Sequence, residues 1–248
     1  RTILSGVTLT AADANKFKLT GIPARLTVTN GALTLAAAVA VDAEWTGAVS
    51  EEWSLAGNWL NSFQPTSGSR VRFNLSAGGE TVDDLVGVQP GVVTFGEDAG
   101  AFTFHGAETL TILSSITNLS AAAQHFLLPT AFGVQGYPFT VRAEGDLTFD
   151  QTTTSTYGTF TKTGAGTLTF ADASWTMGVA PEIRAGRLTF TTPANFASPT
   201  GLTMYDGTSL DLGGGTLSWT NNMTIAGNIR WENGTFTKTN NNEFRPPA

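Results

Sequence analysis

The chain has 248 residues, of which only 13% are charged, and it carries a formal net charge of −7 and no cysteine. With 13 Lys and Arg among 248 residues, it lacks the basic surface that nucleic acid requires, and anionic membranes would repel it as well. The lack of cysteine excludes disulfides and thiolate metal sites, and we expect no metal and no cofactor.

Threonine and glycine set the character of the sequence, with 40 and 28 residues. Threonine is β-branched and carries a hydroxyl, so it suits the solvent face of strands, while glycine marks turns. Short strings in which apolar residues alternate with Thr, such as Leu26–Thr29 and Thr167–Phe170, predict half-buried strands. No long stretch shows helical spacing. The sequence therefore predicts an all-β chain.

Residues 1–41 contain several of these strings, and we interpret them as N-terminal solenoid coils. The apolar run from Leu33 to Val41 is nine residues long, whereas a membrane helix needs about 20. We interpret it as a buried strand with its turn and expect no membrane insertion. Thr2, Ile3 and Leu4 would form a strand whose edge another copy of the chain could pair with.

Residues 42–74 differ in composition, because three of the six tryptophans, Trp45, Trp53 and Trp59, fall close together here. We interpret this segment as a cap, an insertion or the start of a new unit. The rings could plug the end of the solenoid or anchor an inserted loop, with their indole N–H groups in hydrogen bonds. Alternatively, they could form an exposed platform on which sugar rings stack.

Residues 75–248 are predicted to form the main solenoid, either as a separate unit or as one domain with residues 1–41. The hexapeptide Gly-Thr-Phe-Thr-Lys-Thr occurs at 158–163 and again at 234–239, which indicates repeated units. Between 206 and 238 short strands recur every six or seven residues, so three strands would complete a coil of about 20 residues. Stacked coils favour a parallel β-helix over a sandwich.

Two segments resemble a known family. Lys162–Phe170, with the sequence Lys-Thr-Gly-Ala-Gly-Thr-Leu-Thr-Phe, resembles the core of the autotransporter-associated β-strand repeat of bacterial surface proteins. The stretch from Trp45 through Asn58-Trp59 to Phe73 is similar to the tryptophan-rich opening of units in the same family. The resemblance implies a right-handed parallel β-helix (β-solenoid) that is exported to the cell surface or secreted. It implies no catalytic residue.

Candidate catalytic groups are few, and the only histidines, His105 and His125, lie in no recognisable motif. Carboxylate doublets fall at 51–52, 83–84 and 97–98. Neighbouring strand residues point to opposite faces, so such doublets suit the facing pair of a glycosidase poorly. The residues that a calcium-dependent polysaccharide lyase could use are Asp206, Asp211, Arg184, Arg187 and Arg230. We predict no catalytic residue and expect that the chain is not an enzyme.

The sequence favours a non-enzymatic extracellular β-solenoid, outside or on the surface of a bacterial cell, that acts in adhesion or surface structure. Its partners would be surface glycans, contacted by the three tryptophans, or further copies of itself. Self-assembly into a fibre or surface layer is a second hypothesis, with Phe236, Thr237 and Phe244 as further pairing edges. A polysaccharide-binding or polysaccharide-degrading β-helix is a third.

Overall fold

The computed structural model describes residues 2–4, 24–29, 32–37, 42–133, 137–153, 159–171, 174–176, 181–191, 195–198, 202–213, 216–219, 223–230, 235–238 and 244–245. Within these residues the regular structure is β-strand, apart from 3₁₀ turns at Ala56–Asn58 and Leu60–Ser62. Parallel strands stack as a β-solenoid. The predicted fold class is confirmed, while the right-handed sense of the coils stays a prediction.

The first strands form a small sheet of their own. β1 (Thr2–Leu4), β2 (Ala24–Thr29) and β3 (Ala32–Ala37) pair antiparallel in the order β1-β3-β2. The expectation of solenoid coils within residues 1–41 is therefore wrong for these strands. The register pairs Thr29 with Ala32, and the sequence between them is Asn-Gly, the dipeptide most typical of two-residue hairpins.

The longest sheet has ten parallel strands, one from each successive coil. They are β4 (Asp42–Trp45), β5 (Arg70–Phe73), β7 (Val92–Phe95), β10 (Ser115–Asn118), β12 (Phe139–Ala143), β14 (Phe160–Thr163), β17 (Glu182–Ile183), β20 (Leu202–Met204), β23 (Met223–Ile225) and β26 (Phe244–Arg245). The described pairs keep their register from Asp42 to Arg245 without a bulge. In the strands whose side chains are described, buried residues, most of them apolar, alternate with outward ones, which fixes the register.

A second large sheet has nine strands, which follow those of the ten-stranded sheet along the chain from β5 to β23. They are β6 (Gly79–Val82), β8 (Phe102–His105), β9 (Leu110–Ile112), β11 (Gln124–Phe132), β13 (Leu147–Thr153), β15 (Thr167–Phe170), β18 (Arg187–Phe190), β21 (Ser209–Asp211) and β24 (Asn228–Arg230). A third sheet has four strands: β16 (Ser174–Thr176), β19 (Asn195–Ser198), β22 (Thr216–Trp219) and β25 (Thr235–Lys238).

Coils in the C-terminal half are regular. Thr161 pairs with Glu182, and Leu202 pairs with Met223, in each case 21 positions further along the chain. Each of the three sheets receives one strand in this interval, which confirms the coil predicted from residues 206–238. The two hexapeptide copies nevertheless contribute to different sheets, the first to β14 and the second to β25. The hexapeptide repeats a type of strand, not a position in the coil.

A column of phenylalanines fills the core behind the nine-stranded sheet. Phe104 and Phe126 stack with ring centroids 4.3 Å apart, and Phe126 stacks on Phe149 at 4.6 Å. Phe170 and Phe190 continue the column at separations of 5.7 Å. In-register parallel strands about 4.8 Å apart place like side chains above one another. Burial of each ring contributes about 1.5–3 kcal/mol to stability.

The turns between the two large sheets are short and built from small residues. Gly164 has a φ of +79°, and a Cβ at this position would lie 2.3 Å from the carbonyl oxygen of Ala143 in the preceding coil. Only glycine permits this backbone conformation at this distance. Buried amide side chains satisfy carbonyl groups of such turns. Nδ2 of Asn118 donates to the carbonyl of Ala122 at 2.9 Å, and Gln124 contributes similar bonds.

Candidate functional site

Trp45, Trp53 and Trp59 lie together in a buried cluster, with exposed fractions of 3%, 0% and 2%. Trp45 and Trp59 meet edge to face with ring centroids 5.0 Å apart, and Trp53 and Trp59 do so at 5.5 Å. The indole N–H of Trp53 donates to Thr81 Oγ1 at 2.6 Å, and that of Trp59 donates to the Trp53 carbonyl at 2.8 Å. The predicted hydrogen bonding of the indoles is confirmed for these two residues.

The segment that carries the tryptophans covers the first strand of each large sheet. Trp45, at the end of β4, forms an antiparallel bridge with Trp59. On the other side, the backbone N–H of Trp53 donates to the carbonyl of Val82, in β6, at 3.0 Å. Residues 46–63 therefore occupy strand edges that would otherwise be open. We call residues 46–63 the tryptophan cap.

Asn58 organises the tryptophan cap from a fully buried position. Its Oδ1 accepts hydrogen bonds from the backbone N–H groups of Val49 at 2.9 Å and Ser50 at 2.8 Å. Its Nδ2 donates to the carbonyl of Glu52 at 2.7 Å. A buried side chain that satisfies three backbone groups holds a loop in one conformation. The Asn58-Trp59 pair, noted in the sequence for its resemblance, is thus structural.

Burial of the tryptophans corrects one of the two roles considered for them. A ring that is 3% exposed or less offers no face to a pyranose, so Trp45, Trp53 and Trp59 do not form a stacking platform. They plug the first coil, where Trp53 lies 6.3 Å from Phe104, the first ring of the phenylalanine column. The sequence could not separate these roles, because a plug and a platform both require large aromatic rings.

The predicted assembly edges lie at the ends of three different sheets. Thr2–Leu4 is an outer strand of the antiparallel sheet. Phe236 and Thr237 lie in β25, the last strand of the four-stranded sheet, and Phe244 lies in β26, the last strand of the ten-stranded sheet. Pairing of a second copy with these edges stays a prediction.

Both histidines lie on the outer face of the nine-stranded sheet, and each pairs with a carboxylate of an adjacent coil. Nε2 of His105 lies 2.5 Å from Glu80 Oε2, and Nε2 of His125 lies 2.8 Å from Asp150 Oδ1. The histidine side chains are 42% and 43% exposed. Pairs this exposed stabilise a fold by about 0–1 kcal/mol. They link neighbouring coils on an open surface, which is a structural role.

Asp83 and Asp84 have different environments although they are adjacent. Burial raises the pKa of Asp83 to about 7, and the nearby charges of Asp84 and Glu108 add to the effect. Oδ1 of Asp83 accepts the backbone N–H of Leu85 at 3.1 Å, which acts in the opposite direction. Asp84 instead accepts the N–H and hydroxyl of Ser54, in the tryptophan cap, at 2.8 and 2.6 Å. The doublet does not present two carboxylates to one substrate.

The residues considered for a lyase do not converge. Nη2 of Arg187 lies 2.6 Å from Oδ2 of Asp211 on the nine-stranded sheet. Arg184 lies on the outer face of the ten-stranded sheet, and Asp206 lies in the turn after β20. Arg230 belongs to β24, and its side chain falls outside the described residues. Arg230 is nevertheless the register partner of Asp211, so Arg187, Asp211 and Arg230 share the nine-stranded sheet. Arg184 lies on the other large sheet, and the five residues therefore do not surround one point.

Lys162, from the motif that resembles the autotransporter-associated repeat, points into the core and is 0% exposed. Its register partner in the next coil is Ile183. The ammonium donates to the carbonyls of Thr163 at 2.9 Å, Gly164 at 2.7 Å and Ala185 at 3.1 Å. Burial lowers the pKa of Lys162 to about 8. The lysine joins two successive turns.

The sequence alone did not predict one group of polar side chains, on the outer face of the ten-stranded sheet. Nε and Nη2 of Arg142 both lie 2.8 Å from Oε1 of Glu144. The same atoms of Arg184 lie 2.7 and 2.6 Å from Oε2 of Glu182. The hydrogen bond with Arg142 lowers the pKa of Glu144, and the one with Glu182 raises the pKa of Arg184. Residues two apart in a strand share a face, and this spacing is the signal in the sequence.

An open cavity of about 390 Å³ lies at the corner before β10 and β12, where Leu113, Ser114, Tyr137 and Pro138 line it. The Ser114 hydroxyl donates to the carbonyl of Gly91 at 2.6 Å and so ties two coils together. Within the described ranges, no three His, Asp or Glu side chains are grouped so that they could hold a metal ion. The same part of the chain contains no helix with the length and apolar character that a membrane span needs.

The parallel ladders, the phenylalanine column and the tryptophan cap define a β-solenoid that is capped at its first coil. Comparison of the chain with protein-family models, with curated proteins and with solved structures gave no match. Membership of the autotransporter-associated repeat family therefore stays a prediction, based on the residues that resemble it.

Proposed function

We propose that this chain is a non-enzymatic extracellular β-solenoid of a bacterial surface, where it serves as a stiff structural and adhesive element. The resemblance of Lys162–Phe170 to autotransporter-associated repeats supports the location. The continuous ladder of the ten-stranded sheet is the observation that carries the structural role.

This ladder keeps its register from Asp42 to Arg245. Ten strands about 4.8 Å apart give a length of about 43 Å along the solenoid. Main-chain hydrogen bonds join each coil to the next along this direction, so extension of the rod requires several of them to break together. A body of this kind can hold two contacts at a fixed separation.

The outward positions of the same sheet are rich in hydroxyl groups. They include Thr94, Thr117, Thr140, Thr161, Thr163 and Thr203. Each of these side chains is partly exposed. Hydroxyls arranged in rows on a parallel sheet can hydrogen-bond to a hydrated partner at many points. The hydrogen bonds of the buried side chains Lys162 and Asn58 stabilise the fold. The exposed hydroxyl groups are the ones through which this surface would contact a partner.

Labelling of intact source cells tests the location. An antibody raised against the purified chain should decorate the surface of cells that have not been permeabilised. Labelling that appears only after permeabilisation would contradict an extracellular role. An antibody against a cytoplasmic protein of the same cells serves as the control for leakage.

A turnover assay tests the non-enzymatic part of the proposal. The purified chain should release neither new reducing ends nor unsaturated uronates from a panel of neutral and acidic polysaccharides. Release that scales with protein concentration and disappears on heat unfolding would show an enzyme.

A further inference from the structure

Four residues at the outer face of the ten-stranded sheet form one outward column: Arg142, Thr163, Arg184 and Tyr205. Arg142 and Thr163 belong to β12 and β14, whereas Arg184 and Tyr205 directly follow β17 and β20. Arg142 is the register partner of Thr163. The backbone N–H of Arg184 bonds to the carbonyl of Lys162, which places Arg184 beside Thr163. The N–H of Tyr205 continues the same pattern one coil later. We call these four residues the arginine–tyrosine column.

The two guanidinium groups in this column are held in place by their carboxylate partners. Arg142 is fixed by Glu144 and Arg184 by Glu182, each through two nitrogen atoms at 2.6 to 2.8 Å. The arginine side chains are still 52% and 53% exposed. A guanidinium carries five N–H donors, so each remains able to bind a ligand. Fixed donors lose little conformational entropy on binding.

The charges of the column select against an anionic ligand. Glu144 and Glu182 neutralise the two arginines locally, and the whole chain carries a net charge of −7. An acidic polymer would therefore be repelled at longer range. A neutral ligand rich in hydroxyl groups fits better, because the guanidinium can donate to a hydroxyl oxygen while the carboxylate beside it accepts a hydroxyl proton.

Tyr205 adds an apolar surface to the same column. Tyr205 is 43% exposed, and Cζ of Arg184 lies 5.7 Å from the centroid of its ring. This cation–π contact fixes the ring against the sheet. An exposed aromatic ring next to fixed polar groups combines the two contacts that a sugar offers, its apolar C–H face and its hydroxyl edge.

The spacing of the arginines indicates the shape of the ligand. Arg142 and Arg184 are two coils apart in one column, which corresponds to about 9.6 Å. This is close to the length of two sugar rings in an extended β-1,4-linked chain. A ligand aligned with the solenoid axis would meet a fixed guanidinium at two rings that are one disaccharide repeat apart. The carboxylate partners, Glu144 and Glu182, lie on opposite sides of the column.

We infer that the arginine–tyrosine column binds an extended neutral β-linked glycan through Arg142, Arg184 and Tyr205. This inference rests on the adhesive role proposed above and names its surface and its ligand. The contact surface lies on the ten-stranded sheet and not at the tryptophan cap.

Binding of cellohexaose and chitohexaose to the purified chain, measured by isothermal titration calorimetry, tests the inference. We expect saturable binding of at least one of them, with Kd raised about tenfold or more by Arg184→Gln and by Tyr205→Ala. The matched control is Arg187→Gln, because Arg187 forms a similar ion pair with Asp211 on the nine-stranded sheet. This variant should bind as the unchanged protein does.

Three results would overturn the inference: no saturable binding of either oligosaccharide, equal losses in Arg187→Gln, or preference for polygalacturonate, an anionic probe. Thermal unfolding of each variant checks that it is folded before its binding is compared. Cell labelling decides the extracellular location independently. Surface labelling without oligosaccharide binding would refute the glycan site and leave the structural role intact.

Discussion

The ammonium of Lys162 donates a hydrogen bond to the carbonyl of Ala185 at 3.1 Å and thereby joins two successive turns of the solenoid. It also bonds to the carbonyls of Thr163 and Gly164 in its own turn. The neighbouring core position in the next coil is Ile183. A charged side chain thus replaces an apolar one in the core column, where it satisfies acceptors that the tight turns cannot pair themselves.

Replacement of this lysine by an apolar residue of similar length should destabilise the chain. Lys162→Met removes the donor of three carbonyl groups, at a cost of about 2 kcal/mol. For a chain of this size the midpoint of thermal unfolding should fall by about 4–8 °C. Calorimetry measures this shift.

The control for this change is Arg142→Met, which removes an exposed cation from the preceding strand. Its expected cost is about 0–1 kcal/mol. Equal stabilities of Lys162→Met and the unchanged protein would mean that the turn carbonyls do not depend on the ammonium.

Asp83 should make stability depend on pH. Its pKa is raised from 3.8 to about 7 in the folded chain, so the folded state holds the proton more tightly than the unfolded state does. The stabilisation is fully present below pH 3.8 and is lost as the pH rises to about 7. Asp83→Asn should flatten this part of the profile and make the chain more stable above pH 7.

Urea unfolding between about pH 4 and about pH 8 measures this profile. The control is Asp206→Asn, since Asp206 lies exposed in a turn, where its Oδ1 accepts the N–H of Gly207. If the free energy of unfolding of Asp83→Asn changed with pH as steeply as that of the unchanged protein, another group would be the source of the pH dependence.

The phenylalanine column should be sensitive to the loss of a single ring. Phe126 stacks on Phe104 and on Phe149. Phe126→Ala should therefore lower the free energy of unfolding by about 3–5 kcal/mol. Denaturant titration checks the value, and Thr148→Ala, on the outer face of the neighbouring strand, should change it by less than about 0.5 kcal/mol. Similar losses in both variants would argue against a stacked column.

The tryptophan cap should open locally when its organising amide is removed. Asn58→Ala leaves the N–H groups of Val49 and Ser50 without their acceptor. Hydrogen exchange, followed by mass spectrometry, should rise in residues 46–63 and stay unchanged in residues 139–151. Asn74→Ala is the matched control, because Asn74 makes one exposed hydrogen bond with Glu44. An unchanged exchange rate in the cap would show that Asn58 does not hold it.

The sequence predicts the strands of the solenoid well because their physical cause is local. In Thr167–Phe170 the alternation of Thr with Leu and Phe matches the observed alternation of partly exposed and buried positions. The antiparallel pairing of β2 and β3 also has a local signal, the Asn-Gly dipeptide between them. The alternating residues on either side predict strands without saying how they pair, whereas this dipeptide favours a hairpin.

The rest depends on register between coils, which one sequence does not contain. The alternation in β14 places Lys162 on the same face as Phe160, but the carbonyl of Ala185 that accepts its hydrogen bond lies in the next coil. The pairs of Arg142 and Arg184 become a column only when successive coils align them. The burial of Trp59 likewise follows from the cap folding over β4, a contact distant from the strand pattern.

Distances between spin labels along one outward column would show whether successive coils stack as one solenoid. Thr94, Thr117 and Arg142 are successive register partners, so Thr94 lies in line with the arginine–tyrosine column. The chain has no cysteine, so Thr94→Cys paired with Thr163→Cys, Arg184→Cys or Tyr205→Cys gives defined label sites. Stacked coils should give backbone separations of about 14, 19 and 24 Å, an increase of one strand spacing per coil. Distances measured by pulsed electron resonance that fail to rise in this order would contradict the stacked coils.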